Sequence, residues 1–129
     1  MEINRQNYVD QAEKAIQSMV KRDRNGAPSL PLTTSKIRNL LAMTAELKTA
    51  AQRSRDLILS EKMQGRVQYL KMRIAYEAGR EKTVKDFVEH AGLLTLVSSV
   101  GQDRERLLLF CDYMEALTAY HRFYGGKDN

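Results

Sequence analysis

Pro28 and Pro31 are the only prolines in the chain, and both fall in one short segment. Beyond residue 31 no pyrrolidine ring interrupts a helix, and the rest is filled with helix formers: Ala, Leu, Lys, Arg, Glu and Met. β-Branched residues are scattered and nowhere alternate over a strand-length run. These facts predict an all-α chain, a compact bundle of about five helices. Its 129 residues suffice for one modest core, so a single helical domain over 1–129 is expected, with 23–33 as the loop between the first and second helices.

Apolar spacing places the helices. The first runs from about 3 to 22, with Tyr8, Val9, Ala12, Ala15, Ile16, Met19 and Val20 on one face. DRNGAPSLP, residues 23–31, ends it. The second starts at Thr33-Thr34-Ser35, any of which can cap it, and carries Ile37, Leu40, Leu41, Thr44, Leu47 and Ala51. Its turn is placed at Ser54–Ser60. Ser60 is suited to cap a third helix over 61–79, which Gly79 would end. A fourth helix, 82–91, closes at Gly92, and a short helical piece, 93–100, closes at Gly101. The fifth, 102–124, is the longest and most apolar and should lie centrally.

The net charge of +5 is unevenly spread. Between Lys36 and Arg80 stand ten Lys/Arg against four Asp/Glu; elsewhere there are eleven against twelve. A surplus confined to the middle third points to a polyanion partner more than pI alone does. A solvated basic surface accounts for the same numbers. The lone cysteine, Cys111, lies in an apolar pattern and reads as a buried thiol in a reducing, cytoplasmic setting. MEINRQNYVDQAEK has no apolar signal region, and no run is long enough to span a membrane.

Within the surplus, RVQYLKMRIAYEAGR (66–80) repeats arginine at 66, 73 and 80 and tyrosine at 69 and 76. Seven residues turn a helix by two turns less ~20°, so these side chains nearly overlie. With Met63 at zero, Met63, Val67, Leu70, Ile74 and Ala78 gather within about 40° of ~20°. The arginines fall at roughly 260–300° and the tyrosines at about 220–240°. The strip therefore borders the core stripe over about 21 Å. Planar guanidiniums suit phosphates, and neighbouring tyrosines can stack on bases without reading them. A protein-docking edge and a plain boundary surface fit the same pattern. On the second helix, Lys48 and Arg55 fall inside the apolar arc and must snorkel, pair or face a partner, while Lys36, Arg38 and Arg53 lie on wetter sides.

Signs of catalysis are missing. His90 and His121 stand in different helices and form no metal-binding pair; His121 reads as a hydrogen-bonded core residue. No P-loop, GxSxG or metal-ligand cluster occurs. The segment 83–100 can be laid out as helix-turn-helix, but residues 93–100 offer no side chain suited to base edges. The chain is read as a non-enzyme without catalytic residues, metal or cofactor.

Three collinear segments, LTTSKIRNLL (32–41), YLKMRIAYEAGRE (69–81) and DYMEALTAYHRFYGGKD (112–128), resemble the small helical subunit of type III-A CRISPR interference complexes, the Csm complexes. The resemblance implies a helical scaffold that stacks with copies of itself as an inner filament. Its other partners would be guide RNA, target RNA and the backbone and large subunits of the complex. It implies sequence-independent contact with the RNA backbone by Arg66, Arg73 and Arg80, with Lys36 and Arg38 nearby; Arg53, Tyr69 and Tyr76 complete the candidate set. Guide pairing supplies specificity in such a role, so no base readout is needed. The alternative is a protein-only helical adaptor whose boundary residues dock other helices.

Overall fold

The structure, a computed structural model, describes residues 2–127. In chain order the elements are α1 (Tyr8–Met19), β1 (Lys21–Arg22), β2 (Pro28–Ser29), α2 (Thr34–Gln52), α3 (Glu61–Arg80), α4 (Lys82–Ala91), α5 (Leu93–Ser98) and α6 (Arg104–Phe123). The expected all-α bundle is present, with one tiny antiparallel pair, Lys21 opposite Ser29 and Arg22 opposite Pro28.

Helix ends follow local chemistry. α1 starts later than the apolar pattern suggests because two asparagines hold the approach in a turn. The Asn4 carboxamide oxygen accepts from the Gln6 and Asn7 amides at 2.9 and 2.8 Å, and that of Asn7 accepts from the Asn4 amide at 2.7 Å. At its other end Val20 is already extended and leads into β1. α2 ends at Gln52, short of Arg55, where Arg104 Nε donates to the Ala51 carbonyl at 2.8 Å. Ser60 caps α3, its Oγ accepting from the Met63 amide at 3.2 Å. Gly79 does not end that helix. It sits inside the last turn, Glu81 is the cap, and the next helix begins at once. Gly92, at φ 67°, makes the left-handed joint between α4 and α5 that no β-carbon tolerates well. α5 is six residues long and buries Leu93, Leu96 and Val97, and its exposed positions are Thr95 and Ser98, so it presents no cationic or amide side chain to a groove.

The core is centred on α6, which buries Leu107, Phe110, Cys111, Tyr113, Met114, Leu117 and His121. α1 lies parallel to it: Arg5 pairs with Asp112 at 2.6 Å, and the Tyr124 hydroxyl donates to Glu13 at 2.6 Å. α2 lies antiparallel, since Arg104 meets Ala51 at one end and His121 meets Leu32 at the other. α3 packs on α2, α4 and α5 through Val67, Leu70, Ile74 and Ala78, the stripe that the periodicity predicts.

Two predicted core residues behave as expected. Cys111 is buried, its thiol facing the Thr44 carbonyl at 3.5 Å, and desolvation pushes its pKa up to about 12. His121 is also buried. Nε2 stands 2.7 Å from the Leu32 carbonyl, which can only accept, so the proton is on Nε2. Burial lowers its pKa, opposed by that hydrogen bond. Lys48 resolves its anomaly by pairing: Nζ lies 2.8 Å from Asp112 and 3.4 Å from Glu115. Desolvation acts to raise the Asp112 pKa, but hydrogen bonds from Arg5 and Lys48 outweigh it and hold the carboxyl below its usual range. No helix among the described residues is long and apolar enough to cross a membrane.

Candidate nucleic-acid interface

α3 is buried on one side only. On its outer side Tyr69, Met72 and Tyr76 are 61%, 55% and 53% exposed, an unusual cost for large apolar side chains. Arg66 and Arg73 sit half-buried between these residues and the core stripe, and Arg80 is exposed at the helix end. Helical periodicity explains the order: the arginines stand nearer the core stripe than the tyrosines do.

The arginines differ in their partners. Arg73 Nη2 and Arg80 Nη1 both approach Glu77 Oε1, at 3.1 and 3.6 Å. Their guanidinium carbons also lie 5.1 and 5.5 Å from the Tyr76 ring centre, so two cations flank one aromatic. Two guanidiniums share a single carboxylate, leaving net positive charge on this turn. Arg66 has no acidic partner among the described residues; its Nη1 lies 3.9 Å from the Met63 sulfur.

Arg66 and Tyr69 also line a groove of about 350 Å³ between α2 and α3, together with Met43, Glu46, Lys62 and Gly65. A β-carbon on Gly65 would meet nothing within 4 Å, so the glycine leaves the groove floor open. Nearer the other end of the two helices, Lys36 forms an ion pair with Glu81. It lines a second groove of about 340 Å³ in which Glu77 and Glu81 supply negative charge.

The remaining candidates lie apart. Lys36 and Arg38 are about 160° from each other round α2, so the helix that turns Lys36 toward α3 turns Arg38 away. Arg53 caps the far end of α2, about 26 Å along the axis from Lys36. The structure thus brings together Arg73, Tyr76 and Arg80, sets Arg66 with Tyr69 one to two turns before them, places Lys36 across from the Arg80 end, and leaves Arg38 and Arg53 on other surfaces. Met72 and Lys62 were not among the sequence candidates. Met72 falls between the two tyrosines on the same outer face, a signal that a search confined to cations and aromatics passes over.

Among the described residues no group of three or more His, Cys, Asp or Glu is placed to hold a metal ion. Exposed apolar side chains also mark the two ends of α6. Leu57 (71% exposed) and Ile58 (64%) are carried beside its N-terminus by the backbone bonds Leu59 N–H to Gln102 O and Arg104 N–H to Leu57 O, 2.8 and 3.0 Å. Phe123, 74% exposed, stands at its C-terminus.

Comparison with known proteins adds what geometry alone does not. Residues 13–127 match the family model described as Csm2 Type III-A. A Streptococcus thermophilus protein named "CRISPR system Cms protein Csm2" is 44% identical over 124 residues, covering 95% of each chain. A protein of the same name from Mycobacterium tuberculosis (strain CDC 1551 / Oshkosh) is 42% identical over 128 residues, 99% of each. Another from Enterococcus italicus is 42% identical over 95 residues, 72% of this chain and 68% of the relative. With a family match over most of its length and relatives this similar end to end, the chain belongs to the Csm2 family of type III-A CRISPR systems.

Proposed function

We propose that this chain is the non-catalytic small subunit of a type III-A CRISPR ribonucleoprotein and contacts guide and target RNA by their backbones through the outer face of α3. The observation that carries this reading is the exposed Tyr69–Met72–Tyr76 face with Arg66, Arg73 and Arg80 along its edge. The aromatics offer stacking surfaces indifferent to base identity, and the guanidiniums offer bidentate donors to phosphate. The Glu77 pairs do not oppose it. Ion pairs at a partly exposed surface contribute about 0–1 kcal/mol, so a phosphate can replace the carboxylate at small cost.

The test is the triple substitution Arg66→Ala, Arg73→Ala, Arg80→Ala, measured by anisotropy with single-stranded RNA of mixed sequence over a salt series. Three lost phosphate contacts should lower the magnitude of the log–log salt slope by about 2 and remove most of the affinity, with helicity unchanged. A triple variant that binds as wild type does, at the same slope, rules out this face. If it binds RNA normally yet fails to join the assembled particle, α3 docks protein, the adaptor reading that the ion-paired state of Arg73 and Arg80 favours.

Copies of the chain are further proposed to stack head to tail. Leu57 and Ile58 project at one end of α6 and Phe123 at the other, about 29 Å apart along the axis, so one repeated translation brings unlike apolar ends together. Replacing Leu57 and Ile58 with aspartate should abolish the concentration-dependent rise in sedimentation coefficient. An unchanged profile would exclude that end.

A further inference from the structure

The connection from α1 to α2 is longer than its ends require. Lys21 is paired with Ser29, so the chain leaves and returns to the same place, and a tighter turn would join Val20 to Leu30. Nothing in the excursion is buried: residues 21–28 are all exposed, and Ser29 is half-buried. Ordering a backbone residue costs roughly 1–2 kcal/mol, and this segment recovers none of it through apolar burial. It is ordered nonetheless. Asp23 Oδ1 accepts from the Asn25 and Ala27 amides at 2.9 and 3.0 Å, the Asp23 amide donates to Ala27 O at 3.0 Å, and Gly26 turns the tip at φ 77°.

The cations of this segment differ from Arg73 and Arg80 of α3. Lys21, Arg22 and Arg24 are three of four consecutive residues, and none forms an ion pair among the described residues. The one carboxylate among them, Asp23, is occupied by amides of the turn. Arg22 Nη1 donates to the Gly26 carbonyl at 2.8 Å, which braces the hairpin without neutralising the guanidinium. On α3 Arg73 and Arg80 share Glu77, while Arg66 has no acidic partner among the described residues; on α2 Lys36 holds Glu81. The hairpin therefore gathers three cations without a carboxylate ion pair into four consecutive residues.

The hairpin also lies at the end of the bundle where α3 finishes. A relay joins them: a β-carbon built on Gly125 would lie 3.7 Å from the Pro28 carbonyl, the Lys127 carbonyl accepts from the Thr34 amide at 2.8 Å at the start of α2, and Lys36, two residues on, pairs with Glu81 beside Arg80.

We propose that the β1–β2 hairpin is a second phosphate-contacting station, in which Lys21 and Arg24, with Arg22 as brace, grip the same single-stranded RNA beyond the Arg80 end of α3. This deepens the RNA reading above and rests on it. Exposed cations on a hydrogen-bonded two-stranded tip fit a polyphosphate chain, whose charges need no fixed register and no base readout.

The test is Lys21→Ala with Arg24→Ala, leaving Arg22 to hold the turn, and anisotropy with oligouridine of increasing length. Loss of two phosphate contacts should lower the salt-slope magnitude by about 1.4, with a correspondingly weaker affinity confined to oligomers long enough to pass from α3 to the hairpin. The exchange Lys21→Arg with Arg24→Lys should restore the slope. If the double alanine variant keeps the wild-type slope at every length, the station does not exist, and the α3 reading stands or falls on its own triple variant. If that triple variant is silent while the hairpin variant loses affinity, the hairpin is an RNA contact and α3 is not. A variant that binds oligouridine normally but drops out of the assembled particle overturns the proposal in favour of a protein contact.

Discussion

Tyr113→Ala is expected to lower the free energy of unfolding by about 3–5 kcal/mol, the range for removing a fully buried large aromatic side chain. The ring is 0% exposed at the middle of α6, and its hydroxyl donates to the Ala91 carbonyl at 2.7 Å, next to the Gly92 joint. The residue therefore holds the α4–α5 elbow onto the central helix as well as filling space. Tyr113→Phe should keep the packing and lose about 1–2 kcal/mol through the unpaired carbonyl. Urea unfolding of the three proteins separates these contributions; equal stability of the phenylalanine variant and wild type would show that the hydroxyl does nothing.

The same phenol predicts an alkaline limit. Burial pushes its pKa up to about 12, above the unfolded value of about 10, so the folded state favours the neutral form. That stability is fully present below pH ~10 and is lost as pH rises toward 12, by about 1.4 kcal/mol per unit. Cys111, also raised to about 12, acts in the same direction from a lower starting pH. Tyr113→Phe should flatten the decline above pH ~10, and a profile that falls as steeply as wild type would sink this assignment.

Gly126→Ala is expected to cost about 1–3 kcal/mol and to act locally first. A β-carbon there would fall on the His121 ring and 2.7 Å from the His121 carbonyl. The ring cannot yield, being 1% exposed and hydrogen-bonded to Leu32. The tail must lift instead, breaking the bonds from the Gly126 amide to His121 O and from the Thr34 amide to Lys127 O, both 2.8 Å. Hydrogen exchange at Thr34 should accelerate before global unfolding begins. Protection at Thr34 equal to that of wild type would contradict this account.

Much of the bundle was legible because the relevant signals are local. The α3 stripe follows from a 3.6-residue period, and its start from a serine placed to cap. The roles of Cys111 and His121 follow from their positions on apolar faces. What escaped depends on choices the pattern leaves open. Gly79 is a plausible helix stop, yet it stays helical because the chain turns only at Glu81 and needs no left-handed residue there. The start of α1 is set by asparagine side chains competing for backbone amides, which hydrophobic spacing does not register. For the candidate interface, periodicity fixed the strip along α3. It could not show that Glu77, on the same helix, would draw in both Arg73 and Arg80, nor which of Lys36 and Arg38 faces α3. The hairpin cations stood in plain view in KRDRNG, but only the pairing of Lys21 with Ser29 shows that they are carried on a two-stranded tip rather than an unpaired loop.

The position of α6 has a consequence for biosynthesis. The helix against which both α1 and α2 close is translated well after both of them, so those two faces leave the ribosome before their partner does. At about 5–20 residues per second, that interval lasts several seconds. Until residues 104–123 emerge, the α1 and α2 faces that pack on α6 stay uncovered.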